Sequence, residues 1–369
     1  TAIGMGVSEE LGGYVTITVA VIVVTDIASN QYTKFISTFG NINMYASYLS
    51  ISIPVLLAVF AFCKNWFSRI LSGILLIAAG CNILIANSDS VFLGIFAGVV
   101  VVTILAFMQG RLRYSSFAVF LLFVGNLVLG FINKYGHTRY DKKRGGLAIA
   151  LNRLDIAFVL CGAALLVFAV VCVCNWKLGT RVAAWNKKKI VLIVCGACVA
   201  LGVIGIIVLA VTGSSLLTFN DKWGSYRGYI WRKIVEVYGD APFVNKLFGY
   251  GNESVRVTLK AACYNEMVQV TGKVYDNAHN ELLQYLFTTG IVGLLSYLAL
   301  VGSSIVYMFK HAKEHAWISV CLAATGGYFA QSILNLNQPI TTPLFFVFMA
   351  MGVGTVNYCR RVKELEKRA

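Results

Sequence analysis

Apolar runs long enough to cross a bilayer recur along this 369-residue chain, approximately at 11–28, 44–63, 67–86, 91–108, 115–133, 154–175, 190–212, 284–309, 316–335 and 340–358. About 20 helical residues cross a hydrocarbon core, and a backbone in lipid must satisfy its own hydrogen bonds, so each run is expected as a helix. Only 13% of the residues are charged and 58% are hydrophobic, against about 25% charged in an ordinary globular chain. So little polar surface cannot cover a water-soluble particle, which excludes a soluble enzyme. The expected fold is an all-α integral membrane protein, a polytopic bundle of about ten transmembrane helices, with residues 1–369 as a single membrane domain.

The net charge of +15, from 31 Lys+Arg against 16 Asp+Glu, divides by side: sixteen basic residues lie on the side of the tail RRVKELEKRA, seven in short loops opposite, and eight in the long segment 213–283. Basic loops mark the cytoplasmic face. Both termini are therefore expected inside, and 213–283 is expected as one large, partly helical extracytoplasmic loop between the seventh and eighth spans. The basic loop KYGHTRYDKKRGG, within 134–153, lands outside against this rule; either a flanking span is misplaced or the loop meets an anion. Membrane lipids and phosphates, not nucleic acid, are the partners expected for these charges. The chain opens at Thr1 without a basic segment and cleavage site, so no signal peptide is expected and upstream sequence is expected to be missing.

Nine of the ten cysteines lie in or beside apolar runs, where Cys acts as a small hydrophobe; Cys263 alone lies in a long polar stretch. The pair Cys195-x-x-Cys198 has no nearby His or second pair, so neither a disulfide framework nor a metal site is expected. The 34 glycines fit close helix packing.

Segment 213–283 balances eight basic residues with seven acids, and loops of this length are usually functional. Within it, WGSYRGYIWRKIVEVYGD is expected as an amphipathic helix, with Trp223, Ile230, Trp231, Ile234 and Tyr238 on the side of Arg227 and Arg232, Lys233 and Glu236 opposite. An arginine on an apolar face is costly unless it meets an anion, and its planar fork suits a phosphate or carboxylate. A buried acid or the lipid headgroups would satisfy it equally. LFGYG follows as a glycine-rich turn without the Gly-Lys-Ser/Thr ending of a P-loop.

In YDNAHNELLQYLFTTGIVGLLSYLAL, Asp276 or Asn277 is expected to cap a helix, with His279, Leu282, Leu283 and Leu286 along its inward stripe. The positive end of a helix dipole favours a neutral imidazole, which can accept a proton. A structural histidine is the plainer alternative, but His137, His311 and His315 lie in basic loops without such geometry. On the same expected side lie FGNINMYASYL, with Gly40, Asn41 and Asn43, and NSDS, with Asp89; caps account for the Asn and Ser residues, while Asp89 could partner an external cation.

GNINMYASYL, RGYIW with LFGYG, and above all DNAHNELLQYLFTTGIVGLLSYL resemble the O-antigen ligase and O-antigen polymerase superfamily over roughly residues 35–310, with Asn277, His279, Asn280, Leu283, Gly290, Gly293 and Leu294 matching its most specific pattern. The resemblance implies a GT-C type glycosyltransferase of the bacterial cytoplasmic membrane, working at its extracytoplasmic face without a metal or cofactor. It implies an undecaprenyl-diphosphate-linked glycan as donor and a glycan or lipid-linked hydroxyl as acceptor, in assembly of a surface polysaccharide such as that of lipopolysaccharide. Arg227 would hold the diphosphate, with Arg232 or Arg256 beside it, and His279 would activate the acceptor for inverting displacement. Asn280, Asn43 and Asp89 are further substrate-binding candidates. Where many family members carry a Ser-Arg-Gly motif, this chain has Ser88, Asp89, Ser90 and Val91, so that cation is missing and the basic loop 134–153 is a candidate substitute.

A transporter or flippase of polyprenyl-linked or anionic glycans is the alternative. It would place ionisable residues deep in several spans and show internal repeats, whereas these spans are almost uncharged and no repeat is visible. A non-catalytic membrane subunit is the remaining class.

Overall fold

A computed structural model describes residues 42–86, 88–135, 153–183 and 220–368. The runs expected at 11–28 and 190–212, the pair Cys195 and Cys198, and nearly all of the basic loop 134–153 lie outside the described residues. Regular structure among the described residues is helical throughout: α1 (Ile42–Phe62), α2 (Trp66–Ala86), α3 (Asp89–Gln109), α4 (Leu112–Tyr135), α5 (Leu154–Ala183), α6 (Trp223–Gly239), α7 (Phe243–Phe248), α8 (Ser254–Thr271), α9 (Glu281–His311), α10 (Ala316–Ser332) and α11 (Thr342–Arg368). Seven of these, α1 to α5, α9 and α11, are long and apolar enough to cross a membrane. The run expected at 316–335 becomes α10, which ends at Ser332 after 17 residues, at the short limit for a span.

Two compact units are present. The described residues of the first are 42–86, 88–135, 153–183, 304–331 and 338–368. Its centre is α1, whose spanning stretch is fully buried, which lets it carry Ser47, Ser50 and Ser52 where a lipid-facing helix would not. Ser47 and Ser50 donate to the carbonyls of Asn43 and Ala46 one turn back. At the other extreme α5 has only 6% of its apolar window covered and is apolar all round, as a helix facing lipid must be.

Charges at the helix ends have structural work as well. Arg69, in the first turn of α2, donates to the carbonyls of Phe60 and Cys63 at 3.2 and 2.7 Å, closing the C-terminal end of α1. Gly110 in the left-handed region (φ 71°) ends α3, with its amide and that of Arg111 returning to the last turn.

Helices α2 and α4 approach through glycines. A Cβ on Gly125 would fall 1.9 Å from the Ile77 carbonyl oxygen, and one on Gly80 would fall 2.1 Å from that of Leu122. The Cys81 thiol donates to the Gly125 carbonyl at 3.1 Å. Small residues that let backbones touch are the usual device of membrane helix pairs.

The described residues of the second unit are 220–303 and 332–337. Its described part is α6, α7, α8 and the stretch of α9 up to residue 303, around a core of Tyr229, Ile230 and Ile234 from α6, Val255, Leu259 and Met267 from α8, Tyr275, Ala278 and Phe287. The expected segment 213–283 thus carries three helices of its own.

Gly125→Val forces α2 and α4 apart and should cost at least the ~1–3 kcal/mol of an overpacked core. The measurement is the thermal midpoint of detergent-purified protein. Leu166→Val on α5, at a side chain that is 65% exposed, should leave that midpoint nearly unchanged.

Candidate functional site

The backbone ahead of Arg227 leaves the right-handed helix altogether. Gly224, Ser225 and Tyr226 all have positive φ, at 57°, 61° and 71°, and each such non-glycine residue costs about 1–2 kcal/mol. The single amphipathic helix expected from Trp223 onward is therefore corrected: Trp223 precedes a left-handed turn, and regular helix starts at Arg227, with Ile230 and Ile234 buried beyond it. The turn folds back so closely that a Cβ on Gly228 would lie 2.1 Å from the Asn220 carbonyl oxygen. Arg227 is half-buried, its stem lying over Gly224.

His279 also stands in a left-handed conformation, at φ 47°. It precedes α9 instead of sharing a stripe with Leu282, Leu283 and Leu286, because the cap is Asn280: its Oδ1 accepts from the Leu283 amide at 3.0 Å, and the helix begins at Glu281. Asp276 and Asn277, expected as caps, belong to the preceding turn. That turn is held on every side. Asn277 Oδ1 accepts from the His279 amide at 3.1 Å, Gln284 Oε1 accepts from the Ala278 amide at 2.9 Å, and the Trp231 indole donates to the Ala278 carbonyl at 2.8 Å.

Side chains of the core join the two turns. The Tyr275 hydroxyl donates to the Ser225 carbonyl at 2.8 Å, and its ring meets the His279 imidazole edge-on, with centroids 5.7 Å apart. Trp231, which holds the residue before His279, packs at 5.3 Å on Trp223, the residue before the left-handed turn. Among the described residues four non-glycines have positive φ, and three of them are Ser225, Tyr226 and His279. Strained backbone of this kind persists only where its surroundings hold it, and it gathers at functional sites.

Burial is the first cause that lowers the His279 pKa, to about 4; the positive charges of Arg227 and then Lys273 lower it further, against a smaller opposing effect of Asp276. The imidazole is therefore neutral at pH 7. Its Nδ1 is buried without a hydrogen-bond partner among the described residues.

The other candidates have different settings. Arg232 pairs with Asp221 and Glu236, each at 2.8 Å, and Lys233 with Glu236 and Glu266 at 3.0 and 2.8 Å. Hydrogen bonds in this network lower the pKa values of Asp221 and Glu236 and raise those of Arg232 and Lys233. Arg256 is exposed on α8. Asn280 is buried and spends its side-chain oxygen on the cap. Asn43 and Asp89 belong to the first unit, at the starts of α1 and α3. There Gln331 of α10 donates to Ser47 and Ser90, four residues from Asn43 and one from Asp89. Among the described residues His, Cys, Asp and Glu side chains form no group of three or more that could hold a metal ion.

LFGYG binds backbone. Helix α9 breaks at Gly290 (φ 68°), and the carbonyls of Phe287 and Thr288 accept from the amides of Tyr250 and Gly251, both at 2.9 Å. A Cβ on Gly290 would lie 2.2 Å from the Leu247 carbonyl oxygen, and one on Gly249 would lie 2.3 Å from that of Thr288. The sequence marks no role for Tyr275, Gln284 or Lys273; the aromatic residue four positions before His279 is the one signal that it carries for them.

Gly290→Ala should be among the most disruptive single-methyl changes, since it combines positive φ with a backbone clash; loss of folded protein on detergent size-exclusion is the readout. Asn280→Ala should cost only about 1 kcal/mol, the usual value of a lost cap, seen as a modest fall in thermal midpoint.

A model of the family described as O-antigen ligase matches residues 145–298, a stretch that contains both turns, α6 to α8 and the break at Gly290. No curated protein matches the chain. The match implies glycan-assembly activity on lipid-linked glycans in general, and seven apolar helices accompany it. Residues 145–298 are thus similar to the O-antigen ligase family, in a chain whose described residues include seven helices long and apolar enough to cross a membrane.

Proposed function

We propose that this protein transfers a glycan from an undecaprenyl diphosphate carrier to an acceptor hydroxyl at the extracytoplasmic face of the bacterial cytoplasmic membrane, with inversion at the anomeric carbon. The observation that carries the reading is that Arg227, directly after one left-handed turn, and His279, within another, are brought together through Tyr275, close enough for the arginine charge to lower the histidine pKa.

Arg227 takes the diphosphate of the donor, a pairing suited to its fork. Lys273 is the second cation, because its charge already reaches His279, whereas Arg232 is neutralised by Asp221 and Glu236. The acceptor oxygen attacks the anomeric carbon as the bond to the diphosphate breaks. Its proton passes to His279, through Nε2, since Nδ1 is buried. The fixed cations stabilise the charge that grows on the departing diphosphate.

Before donor binds, the imidazole is a weak base, held neutral by burial and by the positive charges of Arg227 and Lys273. A bound diphosphate cancels those charges and raises the imidazole pKa, so the base gains strength when the donor is in place. The sign follows for pH. In kcat/KM for the donor, which reports the free enzyme, the acidic limb should lie near the free-site value of about 4; in kcat it should lie higher. Folding is affected as well: a histidine whose folded pKa is below the ordinary 6.5 makes stability fall as pH drops from 6.5 toward 4.

Purified protein incubated with lipid-linked repeat units tests the reading. His279→Ala and Arg227→Ala should each abolish transfer while the protein still inserts and accumulates, and Lys273→Ala should reduce it more than Arg232→Ala does. Full transfer by either of the first two variants overturns the assignment. A ladder of product lengths marks a polymerase, and a single addition to the acceptor marks a ligase.

A further inference from the structure

The short helix α7, with sequence FVNKLF, is built inside out for a helix in water. Phe243, Val244 and Phe248 are 74%, 65% and 63% exposed. At 100° per residue these three and Leu247 share one face, with Asn245 and Lys246 opposite. The backbone end of α7 is fixed: the Tyr238 hydroxyl donates to the Lys246 carbonyl, and the Asn245 side-chain amide closes locally on the Gly249 carbonyl.

The anchoring point of α7 lies on a membrane-spanning helix. Its last residues run against Gly290, where an added methyl group would touch the Leu247 carbonyl and the Phe248 amide. The amides of Tyr250 and Gly251, just beyond α7, bond to Phe287 and Thr288 of α9. From Gly290 to Phe309 the sequence GIVGLLSYLALVGSSIVYMF is uncharged, and Lys310 follows. Twenty residues at 1.5 Å each give about 30 Å, the thickness of a hydrocarbon core. The break therefore falls at the edge of that core. Beyond it Ile291, Val292 and Leu295 of α9 are exposed, so the bare side chains of α7 continue a lipid-facing surface.

We propose that α7 is an interfacial anchor whose Phe243, Val244 and Phe248 insert into the acyl region of the bilayer leaflet on the side of residues 220–280. An amphipathic segment of this kind sits about 5–10 Å into the headgroup and acyl boundary. Lys246, on the opposite face, lies toward the headgroups. The anchor rests on the membrane-spanning assignment of α9 and is independent of the proposed reaction. Through the backbone pairing with α9 it sets the height above the membrane of the unit that carries Arg227 and His279.

The test uses full-length protein in nanodiscs of phosphatidylethanolamine and phosphatidylglycerol. Phe243→p-benzoylphenylalanine, Phe248→p-benzoylphenylalanine and, as an exposed control on α8, Lys260→p-benzoylphenylalanine are irradiated and mapped by peptide mass spectrometry. Lipid adducts are expected at 243 and 248, on the order of tenfold above those at 260. Phe243→Cys and Phe248→Cys supply a second measurement: a charged maleimide, read peptide by peptide, should modify them about tenfold more slowly than Lys260→Cys. Alkylation as fast as the control overturns the proposal. So do cross-links at 243 and 248 that go to protein, from the same or a second copy, without lipid.

Discussion

In a bilayer every peptide group must find its partner inside the protein, and at the break in α9 that demand organises the whole second unit. Gly290 turns the chain out of the helix, and the carbonyls of Phe287 and Thr288 accept instead from Tyr250 and Gly251. A side chain at Gly249 or Gly290 would collide with the opposing backbone. The pairing fastens the end of α7 to a spanning helix, and Tyr250 stacks on Phe287 at 4.9 Å. Phe287 belongs in turn to the core that holds α6, α8 and the His279 turn.

On that support Ser225, Tyr226 and His279 sit in conformations that the local chain would not choose. One left-handed turn precedes Arg227 and the other includes His279, and hydrogen bonds from Tyr275, Trp231, Asn277 and Gln284 hold them. Both turns are tied to one core, so the arginine charge acts on a neutral, buried imidazole. Arg232 shows a different use of the same residue type: only five residues from Arg227, it is engaged by the carboxylates of Asp221, Glu236 and Glu266 and knits α6 to α8. Net charge therefore says little about the site, because the carboxylates nearest each cation decide what its charge is spent on.

The first unit answers the bilayer differently. Its central helix is covered by its neighbours and can carry Ser47 and Ser50, which donate one turn back, while α5, little covered by its neighbours, stays apolar. Hydropathy finds both helices but does not rank them, because an apolar run has the same average whether lipid or protein surrounds it. The helices at 42–62, 66–86, 89–109, 112–135 and 154–183 were legible from run length alone. The shortness of α10 was not, since its apolar run continues past Ser332 into a loop whose buried Asn335 and Gln338 bond locally.

Arg227 and His279 were also legible as residues: an arginine among aromatic and aliphatic neighbours and a histidine at the mouth of a span are chemical oddities visible in one dimension. Their geometry was not. Helical periodicity assumes one right-handed backbone, so it carried the α6 wheel back through Trp223 and extended the α9 stripe to His279, and the left-handed residues broke both. The sequence by itself determined the membrane class, the run of helices and the two chemical groups, because hydrophobicity and residue type are local properties. Tertiary structure alone decided that Arg232 is taken up by carboxylates, how the two turns meet at Tyr275, and that the glycines of LFGYG serve the Gly290 break. Those outcomes depend on contacts between residues distant in the chain, and only such contacts can hold a strained backbone in place.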